Sequence, residues 1–474
     1  MLFRETTRHM KVAERVGTFT TLFLFLLQSL GTVFAQIQAP VGNSTTPSTD
    51  NSSPADSDTK PPSATALGDI FFKSRNSLLV SFGADEIVQD NALYDSEGSE
   101  RFDTSTHMYS RVAYQRQYPR TSFELDYTLG GRIYNRSSTY NQIVHDGGIS
   151  VSRKLSPRWA LTLADRASVT PDAGRILQGD LVISPLPPDV LPNNTVILRL
   201  NKTILNTAYI DFNVQRSRRS SFSFGANSTI SRFEQGNLRE QNRYGSHLSY
   251  NYQMSERTIF NVGYNFNYFD ITTNDVPVSG PITPSHLVRN HYPYIGVSHQ
   301  FNRLVSGFVD VGPNYTVGDS INLGTSLHFK PGVRASVNAG IVLAQSLSLD
   351  PRTFFSMNLN QSVSDGFGLG AVVQRQIASA SLGRRVTRNT TIAATGGYSR
   401  NKFLTDFDES GEEIITNSVY VGANLRINLT ERFNFHANYN RVRQLSTGFF
   451  ELIPARLSGN TAAVGIAYTI PMFF

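Results

Sequence analysis

Few places in this 474-residue chain bring together residue types that could do chemistry. Gly318-Asp319-Ser320 has the makeup of a nucleophile block, and Ser298-His299 and His247-x-Ser249 set a hydroxyl beside an imidazole. A hydrolase would use such a pair, because a serine needs a base to take its proton. None of these sits in the strand–turn–helix elbow that exposes a reactive serine. Gly-Asp-Ser is also the composition of a hairpin tip, since Gly and Asp supply turn conformations, and that is the stronger account. The nine histidines include no His-x-His pair and no His-Glu-x-x-His run, which leaves a metal enzyme unsupported, and no cofactor is expected.

One acidic stretch has a better case as a metal site. Asp406, Asp408 and Ser410 stand at positions one, three and five of a calcium-type loop, with Gly411 at six and Glu412 following. Position twelve is Asn417 rather than a bidentate Glu, so an acidic hairpin tip explains the same residues by solvation and turn propensity.

The elements that would carry these residues are strands. From about residue 68 no stretch approaches a spanning helix, yet segment after segment alternates apolar with small polar residues. Residues 419–429 put Val419, Val421, Ala423, Leu425, Ile427 and Leu429 on one face, with Gly422, Asn424, Arg426 and Asn428 on the other. Segment 260–268 sets Phe260, Val262, Tyr264, Phe266 and Tyr268 against Asn261, Gly263, Asn265 and Asn267. Segment 123–132 sets Phe123, Leu125, Tyr127 and Leu129 against Glu124, Asp126, Thr128, Gly130 and Arg132. Several such runs exceed the five or six residues usual in soluble sheets. Tyr and Phe gather near their ends, as interfacial girdles require, and the lone Trp159 lies beside a turn. The mean hydropathy of −0.24 fits a wall that is apolar on one side only.

The punctuation between these runs comes in two kinds. Short Arg-bearing turns recur at Tyr118-Pro-Arg, Ser156-Pro-Arg, Arg216-Ser-Arg, Ser255-Glu-Arg, Phe301-Asn-Arg, Thr387-Arg-Asn and Thr430-Glu-Arg, with weaker candidates at Lys330-Pro-Gly and Asp365-Gly. Longer acidic or Pro-rich connections fall at 84–104, 171–199, 271–288, 403–416 and 446–458. The expectation is an all-β fold: a closed antiparallel transmembrane β-barrel of about 16–20 strands, with short periplasmic turns and long extracellular loops. The Pro-rich connection 171–199 is long enough to fold inward as a constriction.

Residues 1–35 read as a signal peptide, with a basic leader (Arg4, Arg8, Lys11, Arg15), an apolar run from Phe19 to Leu30, and cleavage expected after Ala35. Residues 36–67 are rich in Ser, Thr, Pro, Asn and Asp and read as a disordered periplasmic tether; 68–474 would be the barrel. With no cysteine, neither disulfides nor thiolate sites are available to an exported chain. Net charge is +6, or about +4 without the leader, too mild to point to nucleic acid.

The final strand alternates Val464, Ile466, Tyr468, Ile470, Met472 and Phe474 with Gly465, Ala467, Thr469 and Pro471. This ending resembles the C-terminal assembly signal of Gram-negative outer-membrane β-barrels, with Tyr468, Ile470, Met472 and Phe474 as its apolar positions. The resemblance implies recognition by the barrel-assembly machinery and residence in the outer membrane beside lipid and lipopolysaccharide. Pro471 departs from the pattern, because it lacks a ladder donor. Size, tether and long loops are also similar in layout to porin-like barrels associated with exopolysaccharide secretion.

The residues expected to line the lumen are Glu124, Asp126, Arg132, Arg166, Asn424, Arg426 and Asn428. At 16 or more strands such a lumen is wide enough to pass solutes unless a loop fills it. A passive channel for small polar solutes or saccharides is the leading expectation, by diffusion or export. A non-conducting structural, adhesive or secretion-accessory barrel comes second and an outer-membrane hydrolase third. A homo-oligomer is compatible with all three.

Overall fold

The computed structural model describes residues 76–170, 196, 201–234, 238, 240–272, 286–302, 304–318, 321–322, 326–329, 332–347, 350–366, 372–406, 414–447 and 455–473. Their main body is one sheet of 18 strands. In chain order these are β1 (Asn76–Gln89), β2 (Asp103–Gln117), β3 (Thr121–Tyr134), β4 (Gln142–Ser156), β5 (Trp159–Thr170), β6 (Thr203–Gln215), β7 (Ser220–Phe233), β8 (Glu240–Ser255) and β9 (Thr258–Thr272). They continue as β10 (His286–Gln300), β11 (Val305–Gly318), β12 (Gly332–Leu347), β13 (Asp350–Asp365), β14 (Val372–Arg385), β15 (Thr390–Phe403), β16 (Ile415–Asn428), β17 (Phe433–Thr447) and β18 (Arg456–Phe473).

Each strand pairs antiparallel with the next, and β18 returns to β1 through Ser77↔Phe473 to Gln89↔Thr461, which closes the ring. Closure leaves no open edge, as a bilayer demands, because an unpaired backbone group there costs several kcal/mol. The strands run from 12 to 18 residues, more than the roughly ten that a tilted strand needs to cross the hydrocarbon. The only helical element among the described residues is a single 3-10 turn, Ser138–Tyr140.

Alternation gives the wall two unlike faces. Ile143, Leu248, Ile295, Ile341, Val421 and Ile466 are at least half exposed and belong to one face of their strands. The opposite face carries polar side chains that reach across an intervening strand, such as Arg166 on β5 to Asp126 on β3 and His247 on β8 to Asp211 on β6. Contacts that skip a strand form where side chains converge, on the concave side. The apolar face is therefore outermost. It carries aromatic groups whose polar tips are satisfied sideways: the hydroxyls of Tyr127 and Tyr264 hydrogen-bond to His145 (2.8 Å) and His291 (2.6 Å), and those of Tyr398 and Tyr439 donate to Asn417 and Asn460, both at 2.8 Å. His291, which sequence alone suggests is solvated at a strand start, is thus part of this outer aromatic band.

The Arg-bearing turns owe their recurrence to the residue two places before the middle of each. Hydroxyls of Ser156, Ser217, Ser255, Thr387 and Thr430 each accept the amide N–H two residues on, all at 3.2 Å, and Asn302 Oδ1 accepts from Leu304 at 2.8 Å. This side-chain mimic of a backbone turn sets a tight reversal and leaves Arg158, Arg218, Arg257, Arg388 and Arg432 exposed. These turns join β4 to β5, β6 to β7, β8 to β9, β10 to β11, β14 to β15 and β16 to β17; Tyr118-Pro119-Arg120 joins β2 to β3. All lie at the end where β1 starts and β18 finishes.

Two turn assignments are corrected. Lys330-Pro331-Gly332 and Asp365-Gly366 belong to the connections β11–β12 and β13–β14, at the opposite end. The reversal actually needed lies between Leu347, where β12 ends, and Asp350, where β13 begins, and the sequence between them has no Gly, Pro, Asn or Asp to announce it. Exchanging two false turns for one real one leaves eight turns at the short-turn end and 18 strands, within the expected 16–20. A third correction concerns 84–104: β1 runs on to Gln89, and only Asp90–Phe102 connects it to β2.

Candidate functional site: the inner wall

Register assigns the inner-face residues strand by strand. On β3 they include Glu124, Asp126 and Arg132, opposite Gln115, Ala113 and His107 of β2. Arg166 of β5 faces Gly148 of β4, and Asn424, Arg426 and Asn428 of β16 face Asn438, His436 and Asn434 of β17. These are not independent charges. Arg166 bridges two carboxylates, Asp146 at 2.6 Å and Asp126 at 3.7 Å. Arg132 donates to Gln89 Oε1 (2.5 Å) and Ser105 Oγ (3.0 Å) and lies over the Tyr134 ring at 4.8 Å. With 3% of its surface exposed it is a buried strut rather than an open lumen cation. Glu124 sits 3.5 Å from Gln115 Nε2, and Asn424 donates to Asn438.

The barrel seam holds a group that the sequence reading missed. Asp85 stands between two imidazoles, accepting from His436 Nε2 at 2.8 Å through one oxygen and meeting His107 Nδ1 at 3.3 Å through the other. Gly465 faces Asp85 and leaves it room; a Cβ there would overlap the carboxylate. The one available signal, alternation continuing past Gly83, was masked by the acidic, loop-like run Ala84-Asp85-Glu86.

Further round the wall amides and hydroxyls outnumber the charged groups, although Arg334, Arg375 and Arg385 also face inward. Asp310 of β11 accepts from Asn261 (3.0 Å) and Asn338 (3.4 Å), Asn314 donates to Ser336 (3.0 Å), Arg243 to Asn267 (3.1 Å), and Ser356 shares a bond with Ser381 (2.6 Å). Amides and hydroxyls dominate here, and a single carboxylate, Asp310, is held by two amides.

Chemistry beyond binding finds little support in this lining. Ser223, His247 and Asp211 meet, but His247 Nε2 alone faces both Asp211 (2.8 Å) and Ser223 (3.5 Å), while Ser223 donates to Asp211 at 2.8 Å. A relay needs the imidazole to use one nitrogen for each partner. Ser249 shares the inner face with His247, whereas Ser298 faces inward and His299 outward, so that second pair is split between faces. Asp319 and Ser320 lie outside the described residues, as do Asp408, Ser410 and Glu412; Asp406 falls in a two-residue strand paired to residues 328–329. No cluster suited to a metal ion occurs among the described residues.

An inner wall of polar networks, an outer wall of exposed Ile, Val, Leu and Tyr, and a hydrogen-bonded circuit through 18 strands together decide the class. This is a transmembrane β-barrel. The barrel matches no protein-family description, and no curated relative matches its sequence. Among solved structures it is similar to OpdQ of Pseudomonas aeruginosa (10% identity, 84% of this chain and 99% of that one, TM-score 0.42). It is likewise similar to OccK5 (OpdH) of the same organism (12%, 84% and 98%, 0.42) and to its siderophore receptor PirA (10%, 84% and 81%, 0.40). The fold rests on the pairing described above, not on these likenesses.

The mouth at the loop end is narrowed from within. Loop Asp90–Phe102 buries Ala92 and Leu93 against Tyr134 and Tyr140, and Tyr94 against Leu457 and Val442 on the inner faces of β18 and β17. Tyr94 reaches this position with φ of +55°, a left-handed conformation that is uncommon outside Gly. Asn91 latches the loop: its Nδ2 donates to the Asp95 and Ser458 carbonyls (2.8 and 3.1 Å), and its Oδ1 accepts from Asp95 N (2.9 Å). A second apolar cluster joins Phe269, Ile271 and Val288 of β9 and β10 to Val363, Val372 and Leu404. The connection 171–199 lies, apart from Val196, outside the described residues.

In the terminal strand, Tyr468 packs on Phe433 with ring centroids 4.7 Å apart, and Ile470 and Met472 follow on the outer face. Pairing with β17 ends at Tyr468, so Pro471 lies in an overhang joined only to β1, opposite Leu79. A proline is tolerated there because one edge of the strand has no ladder to lose. Phe474 lies outside the described residues.

Proposed function

We propose that this barrel is a porin-like channel for passive passage of small polar solutes, uncharged saccharides in particular. The observation that carries the reading is the division of the inner wall. Carboxylates near the seam are held by His107, His436 and Arg166, while the wall from β9 to β14 offers many amides and hydroxyls around the inward cations Arg334, Arg375 and Arg385. The amides and hydroxyls can exchange hydrogen bonds with a hydroxylated solute, an uncharged one is not held by the arginines as an anion would be, and a barrel of this strand number has room for a wet lumen. Signal-directed export, a link to exopolysaccharide secretion and delivery by the barrel-assembly machinery belong to the same proposal.

A narrowly gated barrel is the second reading, and a specific observation favours it. Inner-face residues near the loop end, among them Gln89, Thr316 and Gln444, are almost wholly buried, and loop Asp90–Phe102 packs on the inner faces of β3, β17 and β18. Liposome swelling separates the two. Vesicles containing the protein are expected to swell in iso-osmotic small neutral saccharide faster than empty vesicles. Equal rates for both would reject the saccharide channel.

A further inference from the structure

The outer face of β15–β18 near the loop end departs from the rest of the barrel. Arg400, Arg441, Arg443 and Arg456 all project outward there and are exposed. Register brings them together: Tyr398 of β15 faces Val419 of β16, which faces Arg443 of β17; Arg441 faces Asn460 of β18, and Leu445, two places beyond Arg443, faces Arg456. With strands about 4.8 Å apart, the guanidinium groups of β17 and β18 share one patch. Lys402 adds a fifth positive charge beside Arg400.

Elsewhere on this face outward charges are fewer and some are held by neighbours. Arg232 pairs with Glu240 at 2.8 Å, Glu86 accepts from Thr106 at 2.8 Å and Asp165 from Asn206 at 2.8 Å, while an outward cation such as Arg289 on β10 stands away from the patch. No outward carboxylate stands on β15–β18, and among the described residues none of the four guanidinium groups has an ion pair or a side-chain hydrogen bond. Asp90, at the edge of the patch, is taken up by Asn460. Like charges gathered beside a low-dielectric slab repel, so a surface of this kind gains from an anionic partner.

A groove adjoins the patch on its membrane side. Val337, Leu359, Ala378 and Tyr398 line it on the outer face of β12–β15, with a volume of about 220 Å³. Within it Gln376 donates to Gln361 (3.1 Å) and Gln361 to the Ala335 carbonyl (2.5 Å), so its polar side chains are satisfied by one another and the groove offers an apolar-bordered slot. Tyr398 borders the groove, and Arg400 is the next outward residue of β15 toward the loops.

We propose that this surface binds a phosphorylated glycolipid of the outer leaflet, its phosphates on Arg400, Arg441, Arg443 and Arg456 and one acyl chain in the groove. Arginine is suited to the task, because its planar fork meets phosphate oxygens in pairs. The site is independent of conduction through the lumen.

The test uses full-length refolded barrel in detergent micelles, its folding checked by heat-modifiable gel mobility. Binding of a bis-phosphorylated lipid A-type glycolipid is measured for wild type, for Arg443→Gln, for the triple variant Arg400→Gln/Arg441→Gln/Arg443→Gln, and for Arg289→Gln, an outward arginine on β10. Each patch arginine is expected to contribute about five-fold, so the triple variant loses roughly 100-fold while Arg289→Gln stays at wild type. Enzymatic removal of the phosphates should weaken binding to wild type by a similar factor. If Arg443→Gln binds as wild type does, or if the dephosphorylated lipid binds equally well, the proposal is overturned. Displacement by millimolar inorganic phosphate alone would also overturn it, since the site would then be a free-anion site.

Discussion

Gly312 shows how much of this wall depends on single atoms. Pairing between β10 and β11 lapses where Tyr292–Tyr294 pass Gly312–Asn314, because Pro293 and Pro313 oppose each other and neither has an N–H to give. The strands close up instead of hydrogen-bonding, so that a Cβ on Gly312 would overlap the Pro293 carbonyl oxygen. Gly312→Ala must push β10 away from β11 against the ladders that hold each on its far side. The expected cost is about 1–3 kcal/mol, read as a lower midpoint in urea titration of the folded band, and an unchanged midpoint would show that the seam is looser than described. The sequence announces neither this contact nor Asp85, for the same reason. Both depend on which residue of a neighbouring strand arrives opposite, and register is set by partners far away in the chain, such as His436 for Asp85. By contrast Glu124, Asp126, Arg132 and Asn424 can be assigned to one face from their own segment, since alternation is local. What a segment cannot reveal is that Arg132 ends up buried among Gln89, Ser105 and Tyr134.

At the scale of elements, the tight turns were legible because each writes its own geometry, with Ser, Thr or Asn capping the N–H two residues on. Lys330-Pro-Gly and Asp365-Gly misled because Gly and Pro serve long connections as readily as short ones. The loop Asp90–Phe102 is the element with most bearing on function, and its inward fold rests on the Asn91 latch and on Tyr94. Asn91→Ala removes three hydrogen bonds at once and should release the loop. Arg101, whose exposed side chain meets only Asp95 at 3.5 Å and whose carbonyl accepts from Ala92 N at 2.9 Å, then becomes a ready cleavage site. Limited trypsin digestion of folded protein is expected to nick after Arg101 about ten-fold faster in the variant, a shift of roughly 1.4 kcal/mol in loop opening. Equal rates would mean that the apolar contacts alone hold the loop.

For the whole molecule, closure through β1 and β18 turns 18 individually unremarkable strands into a wall with no edge. The polar networks inside it and the buried mouth pull the functional reading in opposite directions, toward a wet pore and toward a gated one. Single-channel recording in planar bilayers addresses this directly. Folded protein added to one chamber is predicted to give stepwise, reproducible increments of ion current, modest in size because loop Asp90–Phe102 narrows the mouth. Absence of any current at every applied voltage, from protein shown to be folded and inserted, would contradict the account.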